Sequence, residues 1–479
     1  MECTRSRNTR SLSLLIILAT ALLARLTLAS PAGAQAQPTC PVNPPSPNLQ
    51  APAATVVPAD VCIPNPPPGG VPFRYFDDYS WRTFIALVWP AQAGQRGVPD
   101  TGQTIAANKG PVVFETYKSD WETFQPNAGK PSDWSSFGPS NPSGPPNPCS
   151  NTKDVARGDL VLGSFNEFGN VGEAGIKKFV TVLVAQNGSY VRYLAAYNRT
   201  EFEQILNQGL YLAANVPPPT TDPPKIKSDN GAITIKSSWI DMDRIAHPER
   251  FYTRPAWLQD PKTLACVKKA VGLVGLHIVQ KTPSRPQWIW STFEHVDNVP
   301  APDSPPKQSF TFNDGRGTPM PKLSALGPQY LWATAVENPP PPFNVQRLTP
   351  ISGDTATTNA SWQVALKAQN SVWQFYQLTM TQWPNPGNTP ANDASPQNTF
   401  PTVPATTAFA NTTLETFDQQ SVFASCMACH NSTRTTDFVW SLSMNASTPK
   451  TAAPAVNRAP SARTKAIGAL EQILNATSH

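Results

Sequence analysis

The chain has 479 residues, of which only 14% are charged and 54 are proline. Proline at about 11%, roughly twice the usual share, excludes an all-helical bundle or coiled coil, because each one fixes φ and removes a backbone donor. Thirteen Trp and 21 Phe supply bulky core material and exclude wholesale disorder. The formal charge is only +5.

Residues 1–36 have the order of a secretory signal peptide. Arg5, Arg7 and Arg10 precede an uncharged stretch from Ser11 to Ala24, and a small-residue run ends at Ala34-Gln35-Ala36. The apolar stretch is 14 residues, short of the 18 or more that span a bilayer. Cleavage is expected after Ala36, with Ala34 as the alternative. No other stretch reads as transmembrane, so the mature chain is expected in the periplasm or outside the cell. Removing 1–36 takes away four Arg and one Glu, which lowers the charge from +5 to +2. A nearly neutral chain has no electrostatic case for binding nucleic acid.

Residues 37–72 carry 12 prolines and read as an extended arm or linker. Trp81, Phe84, Ile85, Val88 and Trp89 then recur at helical spacing, with Asp77 and Asp78 suited to the start and Pro90 to the end. Such an aromatic stripe is core packing. Two β-rich runs, 178–185 and 189–197, flank Gln186-Asn187-Gly188, a hairpin signal. Thr200-Glu201-Phe202-Glu203 reads as a capping box opening a short helix. A strand is predicted over 233–240, and a hairpin from 271–280 and 287–296. These elements make 73–345 a β-rich α+β domain. Asp77-Asp78 and Asp241-Met242-Asp243 read as capping or turn carboxylates, since nothing beside them suggests acid/base machinery.

After 355 the spacing turns helical. Trp362, Ala365, Leu366, Val372, Trp373, Tyr376 and Met380 fit one helical stretch, and Thr412-Thr413-Leu414-Glu415 reads as a capping box opening a second helix. Short helices are predicted at 437–446 and 461–475. The second helix runs into Cys426-Met427-Ala428-Cys429-His430. Cys-x-x-Cys-His is the signature of covalent c-type haem attachment. On one helical turn the two thiols project as neighbours and can each bond a haem vinyl group, while the next residue turns its imidazole onto the iron. One such motif means one haem c per chain. A disulfide between Cys426 and Cys429, a thioredoxin-like site and a zinc site are the competing readings. A disulfide needs no histidine, thioredoxin needs a βαβ context, and zinc needs further ligands nearby.

Around this motif the chain resembles the c-type cytochromes. The stretch Gln419–Ser425 before it and Asp437-Phe438-Val439-Trp440 after it are similar to exported bacterial monohaem proteins that attach a cytochrome-like tail to a large domain. The resemblance implies an α+β chain whose β-rich domain is followed by an α-helical, cytochrome c-like haem-binding tail over 355–479. It implies Cys426 and Cys429 as thioether residues and His430 as proximal ligand. It does not carry over a distal ligand, because only 49 residues follow His430 and Met444 is the one methionine among them. Met444 is taken as the sixth ligand, with His277, Met380 or no ligand as rivals. Trp362, Phe375, Tyr376, Leu414, Phe417, Val422 and Phe423 are expected to line or back the haem.

Of the remaining cysteines, Cys40–Cys62 and Cys149–Cys266 are the favoured disulfides. His247 reads as a surface residue. His277 and His295 read as core residues that face opposite ways: pairing Gln280 with Gln287 sets His277 against Trp290 and His295 against Gly272. The functional expectation is single-electron transfer with a redox partner protein or a small-molecule donor or acceptor. The alternatives are a haem-dependent oxidoreductase or peroxidase that holds substrate in the β-rich domain, and a haem-based gas sensor.

Overall fold

Eight strands, joined in one sheet, organise the structure: β1 (Lys118–Ser119), β2 (Leu160–Leu162), β3 (Arg192–Tyr197), β4 (Ile233–Asp241), β5 (Thr253–Gln259), β6 (Cys266–Thr282), β7 (Arg285–His295) and β8 (Tyr376–Gln382). They are seen in a computed structural model that describes residues 46–62, 73–107, 110–137, 147–149, 151–152, 154–156, 158–164, 174, 181–301, 310–316, 328–342, 344–383, 410–419 and 425–449. All of these belong to one unit, 41–479. The helices are α1 (Phe73–Leu87), α2 (Asp120–Thr123), α3 (Arg199–Asn207), α4 (Trp332–Ala335), α5 (Gly353–Ala368), α6 (Cys426–His430) and α7 (Trp440–Asn445). Among the described residues no helix is long and apolar enough to cross a membrane.

The 17-residue β6 is the spine of the sheet. Gly272 pairs with both Ile240 of β4 and Thr253 of β5, so those strands flank β6 on opposite edges. Further along, Gly275 to Gln280 pair with β4 and β7 together. β5 and β7 therefore follow one another along the same edge of β6. Three arms leave β6: one ends in β2, parallel to β5, one in β8, antiparallel to β7, and one runs through β4 and β3 to β1.

One face of the sheet is covered by α1 and α5. Phe84 stacks on Phe293 at 4.3 Å, and Trp81 on Trp362 at 5.9 Å. The Trp81 indole donates to Asn359 Oδ1 at 2.9 Å. The aromatic stripe of α1 is fully buried, as its spacing predicts. Each fully buried aromatic side chain contributes roughly 1.5–3 kcal/mol. The helix begins at Phe73, ahead of the expected start, so Asp77 lies inside it. The Asp77 carboxyl accepts from Thr355 Oγ1 and Thr381 Oγ1, each at 2.8 Å. Burial takes its pKa up to about 7.

The hairpin turn at Asn187-Gly188 forms, with Gly188 at φ +85 and Ser189 N bonded to Asn187 Oδ1, although the arm before it contributes only isolated bridges. β4, β6 and β7 match the predicted strands, but β7 starts at Arg285 and sets Gln280 against Ile289. His277 thus faces Thr292, two places from the expected Trp290. The helix expected at Thr200 starts one residue earlier, capped by Asn198 Oδ1 on the Glu201 amide. Cys149 and Cys266 form the expected disulfide. Cys62 is disulfide-bonded, and its expected partner Cys40 lies outside the described residues. So do the signal peptide expected at 1–36 and the helix expected at 461–475.

Among the described residues the expected α-helical, cytochrome c-like tail over 355–479 is not found. α5 ends at Ala368, a 3-10 turn follows, and Tyr376–Gln382 is strand β8, hydrogen-bonded to β7. Tyr376 and Met380 satisfy a helical spacing, but Tyr376, Leu378, Met380 and Gln382 equally satisfy the two-residue period of a strand. Pairing with β7 decides between them. Residues 410–419 form turns rather than the expected helix. Glu415 does reach back to the Asn411 amide at 2.9 Å in the manner of a capping box, but Asn411, Thr412 and Thr413 are bonded to the sheet. The fold is mostly β-sheet with few helices.

Candidate functional site at the Cys426–His430 turn

The face of the sheet away from α1 presents Lys236 and Ser238 of β4, Gly275 and His277 of β6, and Trp290, Thr292 and Glu294 of β7. The segment 410–419 crosses this face at Gly275. A side chain there would meet Thr413 Oγ1 at 2.3 Å, Ser238 Oγ at 2.5 Å and Asn411 Oδ1 at 3.2 Å, so only glycine lets the crossing lie this close. Asn411 Nδ2 donates to Thr292 Oγ1 and the Phe293 carbonyl, and Thr412 Oγ1 to Glu294 Oε2.

The motif itself is a single helical turn, α6. Gln382 at the end of β8 holds its start: Nε2 donates to Ser425 Oγ at 2.7 Å, and Oε1 accepts from the Met427 amide at 3.0 Å. Met427 is buried in a cluster with Trp288 and Trp290 of β7, Phe202 of α3, and Phe438 and Leu442. After the motif, Asp437 is buried against Lys281 and Ser228, and its carbonyl accepts from the Trp288 indole at 2.9 Å.

Cys426 and Cys429 are free thiols, which removes the Cys426–Cys429 disulfide in this structure. Burial pushes both thiols up, Cys429 to about 12. The His430 Nδ1–H donates to the Phe438 carbonyl at 2.6 Å. The ring lies 4.4 Å from Trp290, and burial holds its pKa down to about 4. A neutral imidazole with Nδ1–H committed to a carbonyl leaves Nε2 with its lone pair, which is how iron-binding histidines are oriented. Two free thiols on one helical turn, followed by an imidazole in this tautomer, fit the donor set of haem c. Among the described residues no group of three or more His, Cys, Asp or Glu converges on one point as a metal-ion cluster would.

Met444, on α7, packs against Trp440 together with Cys429. His277 projects from the sheet onto the motif's face, and its Nε2 lies 3.4 Å from Glu415 Oε2. Met380 is buried with Phe76, Tyr79, Ile289 and Trp383 beside α1. His295 is a core residue: it stacks on Phe251 at 3.7 Å, donates from Nε2 to the Arg250 carbonyl and accepts at Nδ1 from the Asp297 amide. His247 is exposed beside Glu249. The expected haem-lining residues are spread across different clusters. Trp362, Phe375 and Tyr376 belong to the α1–α5 core, Leu414 and Phe417 pack with Tyr193 and Val274, and Val422 and Phe423 lie outside the described residues. The apolar groups around the motif come instead from α3, β7 and the segment 438–446. Those of α3 and β7 escaped sequence reading because they precede the motif by 130 residues or more; the Trp288–Trp290 alternation in β7 was their one local signal.

On the opposite face, Phe114, Trp121, Leu194, Ile235 and Trp239 line a cavity of about 570 Å³ that also receives Glu115. Trp121 Nε1 and Glu115 Oε2 are buried there with no hydrogen-bond partner. Comparison of the chain with family models, curated proteins and solved structures finds no match.

Proposed function

We propose that the chain is an exported monohaem c-type cytochrome that transfers single electrons, with Cys426 and Cys429 in the two thioether bonds and His430 as proximal ligand. The observation that carries this reading is the His430 Nδ1–H bond to the Phe438 carbonyl beside two free thiols. Bound haem would supply a one-electron iron couple. Gln382 fixes the turn that bears the thiols, and the Phe438 carbonyl fixes the imidazole. Trp290 and Phe438 exclude water from one side of it. The Cys149–Cys266 disulfide agrees with export to the periplasm or beyond. The partner in this reading is a redox protein or a small-molecule electron donor or acceptor.

The test is a reduced-minus-oxidised spectrum of the mature protein made in a host that attaches haem c. A covalent haem band that survives denaturation, and is reduced to a single-thioether signature in Cys429→Ala, supports the proposal. A colourless protein overturns it. A second reading, a haem-dependent oxidoreductase, rests on the cavity at Trp121 and Glu115, where the Trp121 indole N–H has no hydrogen-bond partner and would meet a small polar substrate. Turnover that is lost in Trp121→Phe while the haem spectrum stays unchanged would favour that reading over simple electron transfer.

A further inference from the structure

We infer that His277 of β6 is the second axial ligand of the haem, with Glu415 as its positioning residue. This rests on the haem reading of Cys426, Cys429 and His430. The two histidines are 153 residues apart in sequence, and the sheet brings them to one face. His430 packs on the Trp290 ring at 4.4 Å. Trp290 pairs with Val279, and His277 is two residues from Val279 on the same face of β6. His277 and Trp290 are thus diagonal neighbours, about 7–8 Å apart, so the Trp290 ring that His430 packs on brings both imidazoles to one patch of the sheet.

The state of the His277 ring supports this. Its Nε2 is buried and stands 3.4 Å from Glu415 Oε2, an ion-pair distance without an aligned hydrogen bond. A buried ring nitrogen without an aligned hydrogen bond is costly unless a ligand orders the ring. A carboxylate at one nitrogen is also the usual support for a histidine that gives its other nitrogen to a metal, because it fixes the ring and raises its basicity. Glu415 is itself held, by the Asn411 amide at 2.9 Å, in the segment that crosses the sheet at Gly275. Met444 lies differently: it reaches Trp440 alongside Cys429, on the side of the thioether residues.

The full-length mature protein decides the matter. The spectrum in alkaline pyridine, which replaces both axial ligands, reports whether covalent haem is present at all, so its failure sinks the haem reading alone. Where haem is present, the native oxidised protein is expected to be low-spin and to lack the weak far-red band of methionine ligation. His277→Ala should convert it to high-spin, and added imidazole should restore the low-spin spectrum. His277→Met should introduce the far-red band and raise the midpoint potential, which keeps the test open where the alanine variant fails to mature. Glu415→Gln should keep the low-spin spectrum and raise the potential, a change that lost packing alone would not produce. Met444→Ala should leave the spectrum unchanged. A native far-red band that Met444→Ala abolishes, a high-spin native protein, or a low-spin spectrum unaffected in both His277 variants overturns the assignment.

Discussion

Lys281 and Asp437 form a buried ion pair that fastens the turn after His430 to the end of β6, with side chains 8% and 0% exposed. The Asp437 carboxylate also accepts from the Ser228 amide at 2.8 Å. Burial raises its pKa, and Lys281 offsets part of that rise. Removing one partner of such a pair strands the other charge, at a cost of about 3–5 kcal/mol. Lys281→Met should therefore lower the urea midpoint sharply, and Lys281→Met with Asp437→Asn should recover much of the loss. A single variant within about 1 kcal/mol of wild type would mean that the pair does not hold this turn.

His295 should make stability fall in acid. Burial takes its pKa from 6.5 to about 4. Between those values the unfolded chain binds a proton that the folded chain refuses, so stability is lost as the pH falls from 6.5 towards 4. The contribution is about 3 kcal/mol. In denaturant titrations the advantage of wild type over His295→Gln should shrink by about that amount between pH 7 and pH 4. Asp77 acts with the opposite sign. Its carboxyl keeps its proton up to about pH 7 in the fold, so this group costs stability as the pH rises from 3.8 to about 7. Asp77→Asn should thus gain on wild type with rising pH.

Gly275→Ala should loosen the C-terminal crossing. The new methyl group meets Thr413 and Ser238 oxygens at 2.3 and 2.5 Å, and both belong to hydrogen-bonded segments that cannot yield cheaply. Overpacking of this kind costs about 1–3 kcal/mol. Limited proteolysis should then cut in or near 410–419 before the rest of the chain. Gly272→Ala is the control, because its methyl group meets the flexible Met242 thioether and should cost less. Equal losses from the two variants would count against a tight crossing at Gly275.

Opening the Cys149–Cys266 bridge should cost about 2–5 kcal/mol, since it closes a long loop in the unfolded chain. The two cysteines are 117 residues apart, and Cys266 is the first residue of β6. Cys149→Ala with Cys266→Ala should lower Tm by several degrees. Reductant should lower the wild-type Tm by more than it lowers the variant's, which keeps only the Cys62 disulfide to lose. A wild-type Tm insensitive to reductant would contradict this.

What could be read from the sequence follows the range of the interactions. α1 was legible because Trp81, Phe84 and Ile85 share one helical face, and β6–β7 because two β-rich runs stand next to each other. The Cys-x-x-Cys-His turn was legible from its spacing alone, and it does form a helical turn. β8 was misread because its partner β7 lies some 80 residues upstream, and a seven-residue segment carries too little pattern to choose its period. Thr412–Glu415 was misread for a related reason. Its polar side chains suit a helix start, but Glu294 and His277 on the sheet take them. The surroundings of His430 were invisible for the same cause, since Trp290 and His277 meet it only through the strand register.

The helix α1 has a bearing on the timing of biogenesis. It is among the first folded elements to be synthesised, yet its buried Asp77 is held by Thr355 and Thr381, 278 and 304 residues further on. At ordinary translation speeds that interval lasts on the order of 15–60 s. Throughout it the stripe of Trp81, Phe84 and Ile85 has no finished surface to bury itself against. The α1 face thus stays open, and exposed to chaperones, until β8 is made. A chain truncated before β8 would remain without a closed core.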